Sequence, residues 1–202
     1  MTEKQTVIGR VTRCSIQGFV GGIRLRQPDL PTFGGWCQAP AQGGETSVIG
    51  LIYDISIEDD ELARQLAAAD APLPEQQADN QYNRPIPIEI QALAVGYRRH
   101  GAYIQALPPQ PPITLAEITS LDAAEVRTFT QRLDFLPMAL ATPEVPADQV
   151  VAAALRQAAQ ARPKDERRAF LLQAGQECAR LLGQDLGRLE RLLRDLQAGG
   201  EA

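Results

Sequence analysis

The chain has 202 residues, 44% of them hydrophobic and 22% charged, and a formal net charge of -5. Those proportions exclude wholesale disorder, and the acidic balance disfavours a dedicated binder of nucleic acid or anionic membrane, which needs a basic surface. No apolar run approaches the roughly 20 residues of a membrane span. The opening MTEKQTV has no basic segment leading into an apolar stretch, so no secretory leader is expected.

The first half reads as β. Thr6 to Thr12 is β-branched around an internal glycine, and Phe19 to Arg26 places Ile23 and Leu25 on one face, Arg24 and Arg26 on the other. After QPDLP, Phe33 to Ala39 is a short run bent by glycine, and AQGGE is a turn. Thr46 to Ile57 is the clearest strand, with Gly50 marking a bulge or tight bend. Asp59 or Asp60 can cap a helix carrying Leu62 and Leu66, and 71–84 reads as an exposed loop. Pro85 to Tyr97 starts as an alternating strand through Ile86, Ile88 and Ile90. Ala102 to Leu107 returns as its hairpin partner across a turn at His100 and Gly101. The PPQPP tract from Pro108 then stiffens the chain and ends the β region.

The second half reads as α. Ser120 is read as the cap before AAEVRTFTQRL, whose stripe is Val126, Phe129 and Leu133. Pro137, Pro143 and Pro146 interrupt the next stretch. Ala147 to Ala161 is an alanine-rich helix, and Pro163 opens another through Phe170, Ala174, Cys178 and Leu182, with Gly183 as its cap. The final helix carries Leu186, Leu189, Leu192, Leu193 and Leu196, an amphipathic stripe that packs within the chain or docks another subunit. The expected fold class is therefore α+β: a small closed N-terminal barrel over 1–112, then an α-helical region over 113–202 ending in a helical hairpin. Short, numerous, glycine-bent strands suit a closed barrel.

Cys14, Cys37 and Cys178 are odd in number and lack CxxC spacing, which argues against a disulfide framework and for a cytoplasmic protein. They read as small buried or half-buried hydrophobes. His100 is the only histidine, so no local ligand pair seeds a zinc site, and no G-x-S-x-G elbow presents a serine. No cofactor is expected.

The elements Ile8-Gly9-Arg10-Val11 and Ile49-Gly50-Leu51-Ile52, with GGWCQA between them, resemble the HAS-barrel over roughly residues 5–110. That barrel stands at the N-terminus of HerA-type DNA translocases and is shared with the α and β chains of F-type ATP synthase. In those proteins a RecA-like ATPase with a G-x-x-x-x-G-K-[ST] loop follows. This chain has only Lys4 and Lys164, neither after a glycine, and a helical tail in place of the ATPase. The resemblance thus implies docking without ATP hydrolysis: a non-catalytic assembly module for an ATPase ring or a nuclease, with self-association into an oligomer as a further expectation.

Three sets of residues are candidates for function. The docking candidates are Leu186, Leu189, Leu192, Leu193 and Leu196. Arg84, Tyr97, Arg98, Arg99 and Tyr103 combine guanidinium and aromatic chemistry suited to single-stranded nucleic acid, with Tyr82, Arg24 and Arg26 as neighbours. Asp54 with Glu58, Asp59, Asp60 and Glu61 is the densest carboxylate run, either a helix start enriched in acids or the seed of a metal-dependent hydrolase. Gly21-Gly22 and Gly34-Gly35 read as bends, and Trp36 as a barrel-core or rim residue.

Overall fold

The structure, a computed structural model, describes residues 6–25, 31–57, 86–143 and 145–197. The strands are β1 (Val7–Cys14), β2 (Gly18–Leu25), β3 (Trp36–Ala41), β4 (Thr46–Ile57), β5 (Ile86–Arg99), β6 (Ala102–Ile104) and β7 (Glu117–Ser120). The helices are α1 (Ala123–Phe129), α2 (Leu136–Leu140), α3 (Ala147–Gln160), α4 (Lys164–Leu182) and α5 (Leu186–Gln197). The sheet runs β2-β1-β7-β3-β4-β5-β6, and β2 returns to pair with β5. That pairing closes six antiparallel strands into a barrel, and β6 extends from it as the second arm of a hairpin. The fold is α+β, with the barrel first and the helices after it.

β7 lies beyond residue 112, past the proline tract expected to end the β region. It pairs with β1 through Val7, Gly9 and Arg10, and with β3 through Cys37 and Gln38, and so fills the gap between those strands. A strand of four residues, with Ile118 as its one fully buried side chain, carries too little periodicity to stand out in a sequence.

Strand alternation explains the rest of the architecture. On β4, Val48 and Ile52 point into the barrel with Ile90, Ala92 and Ile118. Ile49 and Leu51 point outward, joined there by Trp36, Leu93 and Val95, and are buried under the helices. A strand buried on both faces reads as a continuous apolar run, as SVIGLI does here. Gly50 sits beside a register shift whose extra residue is Val95 on β5; a side chain at Gly50 would press on the Phe19 ring at 3.0 Å.

The helices supply the cover. α3 is buried almost all round from Val150 to Leu155, as a helix at the centre of a packed layer must be. Its alanines let the 34–35 bend approach closely. Gly34 has φ +74 and donates its N–H to Ile52 O at 2.7 Å; a Cβ there would lie 2.5 Å from Ala153 Cβ. The Trp36 indole lies outside the barrel rather than in its core, donating to Ala154 O at 3.2 Å. Its ring packs on Phe129 and Phe135 at 5.4 and 5.5 Å. Arg188 of α5 donates to both Asp148 oxygens at 2.8 Å and to Leu140 O at 2.7 Å, tying α5 to α3 and the end of α2.

Local signals place most boundaries. His100 (φ 49) and Gly101 (φ 81) form the two-residue left-handed turn that suits a twisted hairpin. The cap of α1 is Asp122 rather than Ser120, which ends β7. Asp122 accepts from Glu125 N at 2.8 Å and Glu125 accepts from Asp122 N at 3.1 Å, a reciprocal capping box. Gly183 caps α4 in a right-handed conformation (φ -59), so it is not there for a left-handed turn.

Gly34→Ala should therefore lower stability by about 2 kcal/mol or more, from left-handed strain plus collision with α3. Gly101→Ala, at a left-handed position with open space around it, should cost only about 1 kcal/mol. Urea denaturation of the two variants checks the difference; equal losses would contradict the close approach of α3.

Candidate functional site

The hairpin that carries the arginine and tyrosine candidates is divided between two faces. Arg98 lies opposite Tyr103 across the β5–β6 ladder, and both face α1. Arg98 Nη1 donates to Glu125 Oε1 at 3.0 Å. The Tyr103 ring meets Phe129 edge-on, with centroids 5.6 Å apart. Burial raises the Tyr103 phenol above its usual range, and the Glu125 charge adds to that. Tyr97 and Arg99 fall on the other side of β5 by alternation, paired with Val48 and Thr46. Arg84, Tyr82 and Arg26 lie outside the described residues, as does the Arg24 side chain. Arg98 and Tyr103 are thus engaged at the junction of barrel and helix rather than set beside Tyr97 and Arg99 on one stacking surface.

Glu125 is the hub of that junction, and the sequence reading did not single it out. Its Oε1 also accepts from Gln38 Nε2 of β3 at 3.3 Å, so one carboxylate links β3, β5 and the α1 cap. The D-x-x-E spacing of Asp122 and Glu125 is the signal that identifies the cap; its reach to Gln38 and Arg98 follows only from the folded chain.

The leucine stripe of α5 is largely used within the chain. Leu192 and Leu196 are buried, and Leu189 and Leu193 pack against the same core. Leu186 alone of the five is strongly exposed, at 72%. Asp54 is exposed and accepts from Gln91 Nε2 at 3.4 Å, while Glu58, Asp59, Asp60, Glu61 and the Leu62–Leu66 pair lie outside the described residues. Among the described residues no three histidine, cysteine or acidic side chains stand close enough to hold a metal ion, and no helix is long and apolar enough to cross a membrane.

Two further exposed apolar side chains lie along the segment joining β6 to β7. Ile113 is 42% and Leu115 69% exposed, and Leu115 has φ +66, a conformation leucine rarely adopts. The segment is stitched down on both sides: Leu115 N donates to Val11 O at 2.8 Å, Ile113 N to Pro40 O at 2.9 Å, and Arg10 Nη1 to Leu115 O at 3.3 Å. Nothing in ITLAEI signals a left-handed leucine.

No protein-family model matches the chain, and no curated protein matches it significantly.

The three thiols are free, and burial separates them. Cys37 lies inside the barrel and its thiol is driven far up; burial pushes the Cys178 thiol to about 11. A thiol so shifted stays protonated in the folded chain while the unfolded chain ionises near pH 9. Its contribution to stability is full below about pH 9 and is lost as pH rises through about 11. A disulfide reagent at pH 8 should label half-buried Cys14 first and reach the other two only on unfolding. Cys178→Ala should lose less stability than the native chain between pH 8 and 11; an equal loss would contradict the burial of that thiol.

Proposed function

We propose that this chain is a non-catalytic docking subunit built on a HAS-type barrel, working in the cytoplasm with a protein partner. By analogy, that partner is an ATPase ring or a nuclease of DNA processing. The closed six-strand barrel supports this reading, as do the positions of the two I-G elements on β1 and β4.

One observation carries it: Leu115 is held exposed in a left-handed backbone on a rigid, multiply bonded platform beside exposed Ile113. A non-glycine residue in that conformation costs roughly 1 kcal/mol or more. The backbone bonds to Val11 and Arg10 hold that conformation, while the exposed apolar side chain itself adds nothing in the isolated chain. It contributes once a partner buries it, and grouped exposed apolar side chains mark protein contacts.

Leu115→Asn separates the two roles, because asparagine tolerates the left-handed region. The variant should be as stable as the native chain or slightly more so, yet bind its partner or its own copies at least about tenfold more weakly, the scale of losing one well-buried contact residue. Affinity purification from the native host with mass spectrometry, and light scattering on the pure protein, provide the readout. A strict monomer with no partner, or association undiminished in Leu115→Asn, would contradict the proposal.

A further inference from the structure

A cleft of about 530 Å³ opens between the barrel and the segment that joins α2 to α3. That volume is within the roughly 300–1,000 Å³ of small-molecule sites, and such sites favour the seam between two structural layers. Its apolar lining comes from Phe19 and Leu93 of the barrel, both nearly buried, and from Leu107 and Met138 across from them; polar groups line almost as much of it. Its rim carries Arg13 and Tyr53.

Both rim residues stand at interruptions of the sheet. On β1, Val11 pairs with Gly21 and Arg13 with Val20, so Thr12 is an extra residue. In a regularly alternating strand Arg13 would share the inward face of buried Val11; the bulge turns it to solvent instead. On β4, Ile52 pairs with Ala92 and Asp54 with Gln91, so Tyr53 is the extra residue there. Ile52 and Ile55 both keep to the barrel interior, and Tyr53 is set on the outer face. Two independent bulges thus deliver a guanidinium and a phenol ring to one cleft.

The polar groups at the mouth differ in what they already bind. Tyr53 O–H donates to Gln91 Oε1 at 2.9 Å, Thr142 O–H to Met138 O at 3.1 Å, and Ser15 Oγ accepts from Gln17 N at 3.1 Å. Arg10, three residues before Arg13, pairs with Glu117 at 2.6 Å. Among the described residues no acid pairs with Arg13. A cleft with a part-apolar lining, whose described residues include one guanidinium unpaired with any acid among them, is complementary to a single negative charge on an apolar body.

We infer that this cleft binds a small amphipathic carboxylate, its chain against Phe19, Leu93 and Met138 and its carboxylate on Arg13. The site is separate from the Leu115 surface, and its success or failure leaves the docking proposal untouched.

Calorimetric titration of the full chain with octanoate, octanol and octylammonium tests it. Octanoate should bind saturably at one site, about fivefold more tightly than octanol, the scale of one charge-assisted contact at a partly exposed rim. Octylammonium should bind most weakly. Arg13→Gln should remove the preference for octanoate over octanol and leave octanol affinity unchanged. Leu107→Asp, a wall substitution at a 42% exposed position, should weaken octanoate at least as much while the far-ultraviolet spectrum stays native. Absence of saturable binding, a preference that survives Arg13→Gln, or equal binding of octylammonium would overturn the inference.

Discussion

The outer face of β3, β4 and β5 cannot face water. Trp36, Ile49, Leu51, Leu93 and Val95 all point away from the barrel interior, and all are buried. Each such side chain gains roughly 1.5–3 kcal/mol on burial, a large part of the marginal stability of any domain. The helices exist where they do because this face must be covered. α3 lies at the centre of the cover, narrow enough in its alanines to accept the Gly34 bend, while α4 and α5 bury its far side in turn. The polar links follow the apolar ones: the Trp36 indole on Ala154 O, and the Glu125 carboxylate joining Gln38, Arg98 and the start of α1.

The same constraint decides which candidate residues remain available to a partner. Arg98 and Tyr103 look, in sequence, like members of a recognition hairpin, but their side of β5 is the side that meets α1. The α5 leucines look like a docking stripe, but a helix hairpin on a barrel has a core of its own to fill, and Leu192 and Leu196 fill it. Among the apolar side chains left exposed are Ile113 and Leu115, where the chain passes from β6 back to β7. There Leu115 has a left-handed backbone, bonded to Val11 and Arg10, and its side chain lies in solvent.

Legibility in the sequence followed the length and repetition of each element. Thr46 to Ile57 is read to the residue because eight of its twelve positions are apolar or β-branched and repeat one message. The His100-Gly101 turn is read because two left-handed positions in a tight hairpin demand particular residues. β7 is not read, since four residues after a proline tract hold one inward side chain. α2 is not read either, because Pro137 looks like an interruption when it sits in the first turn of a short helix. The cleft is beyond any sequence pattern. Its rim depends on Thr12 and Tyr53 being the extra residues of two bulges, and that is a property of pairing with β2 and β5. Glu125 falls between these cases: its cap is legible in the D-x-x-E spacing, its cross-links are not.

If covering one barrel face is what holds the molecule together, barrel and helices must open together. Native-state hydrogen exchange measures that directly, amide by amide. The amides of Ile52 on β4, Ile90 on β5 and Leu155 on α3 all belong to fully buried residues. All three should exchange through one opening reaction with the same free energy and the same dependence on denaturant. If Leu155 exchanged through a distinctly cheaper opening, while Ile52 and Ile90 stayed protected to the global limit, the barrel would stand without its helices and the account would be wrong.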